Sequence, residues 1–115
     1  MSVVEQYARA HIVSDVDIAE DEAIPVVLRY DPETDPRSVR IRLPGTPEWT
    51  FARALLEQGL RAPVGSGEVR VWPCGRVQAV VEFHSPQGVS VVQFEQKALL
   101  RFLRRTYTAT APVRG

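Results

Sequence analysis

Apolar and polar residues alternate along much of the chain, and the alternation predicts strands first. Residues 38–43 are the clearest case: Val39, Ile41 and Leu43 fall on one face, Arg40 and Arg42 on the other. Successive side chains of a strand point to opposite sides, so this pattern marks a half-exposed strand. Residues 3–13, with Val3, Val4, Tyr7, Ile12 and Val13, and residues 24–30, with Val26, Val27, Leu28 and Tyr30, carry apolar residues over strand length. Residues 31–37 contain two prolines, which lack an amide donor, and read as a turn. Pro44-Gly45-Thr46-Pro47 turns the chain again into residues 48–50.

A short helix is predicted over residues 51–58, capped by Thr50 and ended by Gly59 in a left-handed conformation, with Leu60 folding back on Leu55. Gly65-Ser66-Gly67 then reads as a flexible connector. After it, Val69 and Val71 alternate with Arg70 and Trp72. Tight reversals at Pro73-Cys74-Gly75 and at residues 85–88 separate this strand from strands at 76–84 and 89–94, giving a three-stranded meander. A final helix covers residues 95–107. At the helical repeat, Leu99, Leu100, Phe102, Leu103 and Tyr107 share one sector, and Lys97, Arg101, Arg104 and Arg105 lie opposite. Residues 1–108 form a single domain, and residues 109–115 are expected to fray.

The two halves echo each other. Phe51 precedes Ala54-Leu55-Leu56, and Phe94 precedes Ala98-Leu99-Leu100, with one extra residue in the second copy. A strands-then-helix unit used twice accounts for this. The expected fold class is α+β, with two antiparallel sheets each followed by a helix that packs its leucine stripe on a sheet.

Composition narrows function more than it defines it. The 115 residues suffice for one core, and 14 basic residues balance 14 acidic ones. A protein built to grip phosphates usually carries a basic surplus, so net charge lends that role no support. Cys74 is the only cysteine, which rules out an intrachain disulfide. No apolar run approaches the roughly 20 residues of a membrane span, and the N-terminus lacks a basic segment leading into an apolar stretch. A cytoplasmic location is expected. Thirteen arginines against one lysine, with no asparagine, suggest a GC-rich bacterial genome.

No catalytic, cofactor or metal constellation emerges. The glycines of Gly65-Ser66-Gly67 follow a helix and lead into a strand, the reverse of a phosphate loop. Ser66 is outside a Gly-x-Ser-x-Gly elbow. His11 and His84 have no local nucleophile to serve, and their spacing matches no metal motif. Cys74 reads as an exposed turn residue able to cross-link in oxidising buffer. The acidic cluster of Asp15, Asp17, Glu20, Asp21 and Glu22 lacks the central glycine of a calcium loop and reads as a solvated loop. The basic side of the last helix (Lys97, Arg101, Arg104, Arg105), joined by Arg40 and Arg42, is the candidate contact surface for an acidic partner or a nucleic acid. Trp49, Phe51 and Trp72 are candidate core or interface anchors.

Taken in order, several segments resemble the SsgA-like sporulation and cell-division regulators of filamentous actinobacteria. They are Ile24-Pro25 with Leu28-Arg29-Tyr30-Asp31, Asp35-Pro36 with Val39-Arg40, Glu48-Trp49, Phe51-Ala52-Arg53, Leu55-Leu56 and Gly59-Leu60. Pro63, Gly65, Gly67, Val69-Arg70-Val71-Trp72-Pro73 and Phe102-Leu103-Arg104-Arg105-Thr106 complete the set, over about residues 5 to 108. The chain departs from the family pattern at Ala54, often an aspartate there, and at Cys74, often serine-like. The resemblance implies a non-enzymatic, cofactor-free regulator of septum placement or spore-wall remodelling. It further implies work through protein contacts with the tubulin-like division protein FtsZ or sibling family members, at or near the septum. It also implies a fold similar to the whirly-type and guide-RNA-binding proteins and a homotrimer. A single-stranded nucleic-acid binder is the alternative.

Overall fold

The computed structural model describes residues 3–13, 23–45, 47–86 and 88–110. The acidic cluster between residues 15 and 22 and the last five residues of the expected tail lie outside them. The described chain forms β1 (Val4–Ile12), β2 (Ile24–Tyr30), β3 (Ser38–Arg42), β4 (Trp49–Ala52), α1 (Arg53–Gly59), β5 (Val64–Ser66), β6 (Val69–Cys74), β7 (Gln78–Ser85), β8 (Gly88–Glu95) and α2 (Gln96–Thr110). Four strands and a helix thus occur twice in succession, and the expected α+β class holds.

The two expected sheets are one. All eight strands join in the order β4-β3-β2-β1-β8-β7-β6-β5, every neighbouring pair antiparallel. The join is made by β1, which is long enough to serve two partners. Along most of its length it pairs with β2, while Ala10, His11 and Ile12 also pair with Phe94, Gln93 and Val92 of β8. The Val13 amide extends this seam by donating to the Val91 carbonyl at 2.9 Å. Periodicity shows which face of a strand is buried; it carries no record of which strand lies at each edge.

The sheet curls. In a flat sheet β4 and β7 would stand about 24 Å apart, at about 4.8 Å per strand. Instead Trp49 of β4 stacks on Phe83 of β7 with ring centroids 4.7 Å apart, and Phe51 tilts against the same ring at 6.2 Å. The core fills the concave side, with Val26, Leu28 and Tyr30 of β2, Val39 and Ile41 of β3, Val71 of β6 and Val81 and Phe83 of β7 fully buried. The helices close this side in an interlocked way. Helix α1 ends the first unit but packs on β5 and β6 of the second, while α2 packs on β1 of the first unit as well as on β7 and β8.

Several local expectations change. Helix α1 begins at Arg53, two residues later than expected, because residues 49–52 are held as a strand, with Phe51 opposite Val39 and Trp49 opposite Ile41. Ala52 therefore occupies the N-cap without a side-chain hydrogen bond, and Thr50 caps nothing. Gly59 belongs to the helix, and Leu60 follows in right-handed geometry at φ −78°. The glycine is needed for closeness: a Cβ there would lie 2.3 Å from Val71 Cβ. The Gly65-Ser66-Gly67 connector is the hairpin of β5 and β6, with Gly67 at φ +62° in its two-residue turn.

Helix α2 runs to Thr110, three residues beyond its expected end. Its buried stripe is Leu99, Phe102, Leu103 and Thr106, whose hydroxyl is satisfied by the Leu103 carbonyl at 2.7 Å. Leu100 and Tyr107, expected within that stripe, sit on its flank at 45% and 42% exposure.

Candidate interaction surfaces

The convex side of the sheet carries every outward residue of the strands, and its two halves differ. In the first half, antiparallel register lines up Glu5, Arg29 and Arg40 in one row across β1, β2 and β3, and Tyr7, Val27 and Arg42 in the next. Arg9 follows, opposite Pro25. Arg40 approaches Glu48 at 3.9 Å. Hydrogen bonds from the Glu33 amide and from Thr34 hold the Asp31 carboxyl below its ordinary value, with a smaller contribution from Arg29. Among the described residues Arg9 and Arg42 enter no ion pair. Beside them Tyr7, Pro25, Val27, Arg42, Pro44 and Pro47 line a shallow groove of about 650 Å³.

In the second half the outward rows are apolar or self-neutralising. Trp72, Val80 and Gln93 lie side by side, and Glu82 is flanked by Arg70 at 4.0 Å and by His84, whose Nε2 lies 2.9 Å from Glu82 Oε1. His84 thus faces a carboxylate on its own strand. Among the described residues no three His, Cys, Asp or Glu side chains gather as metal ligands. Cys74 is exposed, as expected.

The basic residues singled out from the sequence do not form one patch. Lys97, Arg101, Arg104 and Arg105 occupy the exposed face of α2, on the concave side, whereas Arg40 and Arg42 alternate with core residues and project from the convex side. Arg105 is partly engaged, donating to the Glu5 carbonyl at 3.4 Å and to Gln6 Oε1 at 3.3 Å. Trp49 and Phe51 belong to the core contact around Phe83. Trp72 is half-buried on the convex side, beside Arg70 and the β5 hairpin.

One residue that sequence patterning passed over joins three elements. The Arg53 guanidinium lies 3.9 Å from the centroid of the Tyr107 ring and 5.1 Å from that of Tyr30, and Nη1 donates to Thr106 Oγ1 at 3.4 Å. The Tyr107 hydroxyl donates to the Glu57 carboxylate, and that bond, with partial burial, raises its pKa above the ordinary 10.0. A clamp between α1, α2 and β2 results. Nothing in the periodicity flagged Arg53, since a lone arginine at a helix start reads as solvated.

Curled sheet, interlocked helices and contrasting convex faces define an α+β scaffold whose most distinctive feature is its surface. The profile described as "Streptomyces sporulation and cell division protein, SsgA" matches residues 24–114. The chain belongs to that family. It is 40% identical over 96 residues to the sporulation-specific cell division protein SsgB of Streptomyces coelicolor, covering 77% of this chain and 69% of that protein. To SsgB of Saccharopolyspora erythraea it is 38% identical over 112 residues, covering 90% and 79%. A solved chain, reported with the finding that mutations in SsgB correlate to longitudinal cell division during sporulation of Streptomyces coelicolor, superposes with TM-score 0.82 at 37% identity. It covers 94% of this chain and 86% of its own. An SsgA-like sporulation-specific cell division protein from Thermobifida fusca superposes with TM-score 0.73 at 26% identity, covering 94% and 82%.

Proposed function

We propose that this protein is a non-enzymatic regulator of sporulation-specific cell division, acting as an adaptor in septum placement or cell-wall remodelling. The observation that carries the proposal is the family match across residues 24–114, supported by the agreement in fold with SsgB. Among the described residues no helix is long and apolar enough to cross a membrane. On this reading the protein reaches the septum by binding, from the cytoplasm, to division proteins such as FtsZ or sibling family members.

The working form is a homotrimer. Its support is the second half of the convex side, where Trp72 is half-buried and Val89 and Val91 follow each other on the outward face of β8, Val89 53% exposed. Apolar residues gathered on one face are the usual core of a subunit contact. Light scattering is expected to give three times the 12.9 kDa chain mass; a monomer mass at working concentration removes the trimer. Deletion of the gene, followed by imaging of sporulating cells, tests the function itself. Missing or misplaced septa are expected, with division proteins recovered when the tagged chain is captured from those cells. Normal septation in the deletion strain contradicts the proposal.

A further inference from the structure

We infer that the convex face of the first half is a docking site for an acidic, extended segment of a partner protein, seated by Arg9, Arg42 and the groove beside Tyr7. The inference rests on the adaptor function proposed above and assigns it a surface. Charge complementarity selects the occupant. Arg9, Arg29, Arg40 and Arg42 all project from this face, against Glu5, the Glu48 that approaches Arg40, the Asp31 whose carboxyl feels Arg29, and the Glu95 that lines a hollow with Arg9. Arg9 and Arg42 take part in no ion pair among the described residues, so their guanidinium donors remain available for carboxylates, which they grip in bidentate fashion.

The groove sets the second requirement. Its walls are Tyr7, 70% exposed, with Pro25, Val27, Pro44 and Pro47, and Arg42 stands at its edge. That lining suits one or two apolar side chains flanked by acidic residues. Single-stranded nucleic acid fits less well, because such ligands stack along a series of aromatic platforms and among the described residues this face offers Tyr7 alone. The second half makes the contrast concrete: its outward Arg70 is already beside Glu82.

The test uses the full chain and short fluorescent probes followed by anisotropy. The probes are a peptide of Asp and Glu around two leucines, the same peptide with Lys for each acid, and oligothymidine. The acidic peptide is expected to bind, and the doubly substituted Arg9→Glu, Arg42→Glu protein to lose at least about tenfold in affinity. Tyr7→Ala is expected to weaken the leucine-containing peptide more than an all-acid version. Arg61→Glu with Arg76→Glu, exposed positions elsewhere that change net charge equally, is expected to bind as the parent does. Circular dichroism melting checks that each variant is folded, and binding is compared only between folded forms. Equal affinity of the Arg9/Arg42 variant and the parent overturns the inference. Tighter binding of oligothymidine overturns it, as does self-association abolished by the same two substitutions. Loss of acidic-peptide binding combined with normal septation in a deletion strain removes the adaptor function and leaves the surface standing. Septation that depends on the gene but is restored by the Arg9/Arg42 variant removes only the surface.

Discussion

The two halves of the sheet share an inner face and diverge on the outer one. Inside, each unit delivers a phenylalanine in its last strand and a buried leucine in its helix, Phe51 with Leu55 and Phe94 with Leu99. Outside, the first half presents four arginines and an apolar groove lined by one of them, Arg42, and the second presents half-buried Trp72 and the pairing of Arg70 with Glu82. Core positions answer to packing density, which both units must meet in the same way. Convex positions are held to no such density, and their difference agrees with the separate roles proposed for the two faces. The interlock of helices adds a second lesson: each helix packs on strands of both halves, so the two are expected to fold and unfold together.

That expectation can be broken at Phe83, where β7 meets Trp49 and Phe51 of the first half. Phe83→Ala is expected to destabilise the whole domain by about 3–5 kcal/mol, in a single urea transition. Two separated transitions would show independent halves. Gly59→Ala comes next. Its new Cβ would collide with Val71 at 2.3 Å, forcing α1 away from the second half at about 1–3 kcal/mol, measured the same way. An unchanged midpoint would mean that α1 does not bridge the halves.

The clamp at Arg53 sharpens the comparison on a smaller scale, because it ties α1 to α2. Arg53→Ala is expected to lower stability by about 1 kcal/mol, and Arg53→Lys to recover only part, since a compact ammonium replaces the planar guanidinium between two rings. The smallest effect is one of pH. Because the folded protein raises the Tyr107 pKa, the stability contributed by its bond to Glu57 is whole below the ordinary 10.0 and fades as pH climbs through the raised value. Urea midpoints at about pH 8 and about pH 11 are expected to differ more for the parent chain than for Tyr107→Phe. Equal differences would show that the hydroxyl is not coupled to folding.

Much of the scaffold was legible from residue patterning. Strands β2, β3, β6 and β8 stand within two residues of their expected bounds because alternation and prolines set them locally. The repeat was visible through Phe51 and Phe94. The single sheet was not, since the pairing of Ala10–Ile12 with β8 depends on residues eighty or more positions apart. Gly59 was recognised as special for the wrong cause, as its neighbour Val71 is distant in sequence. Among the candidate contacts, Arg40 and Arg42 were found by alternation. Arg9 and Arg29 join them only through the registers of β1 with β2 and β2 with β3, which no single strand encodes.

The central claim is that recognition resides on the convex face of the first half. The most direct measurement is septum counting in a deletion strain that expresses the Arg9→Glu, Arg42→Glu protein at parental level, beside the Arg61→Glu, Arg76→Glu control. The account predicts that septa return with the control and stay missing or misplaced with the convex-face variant. Full restoration by the convex-face variant would contradict it.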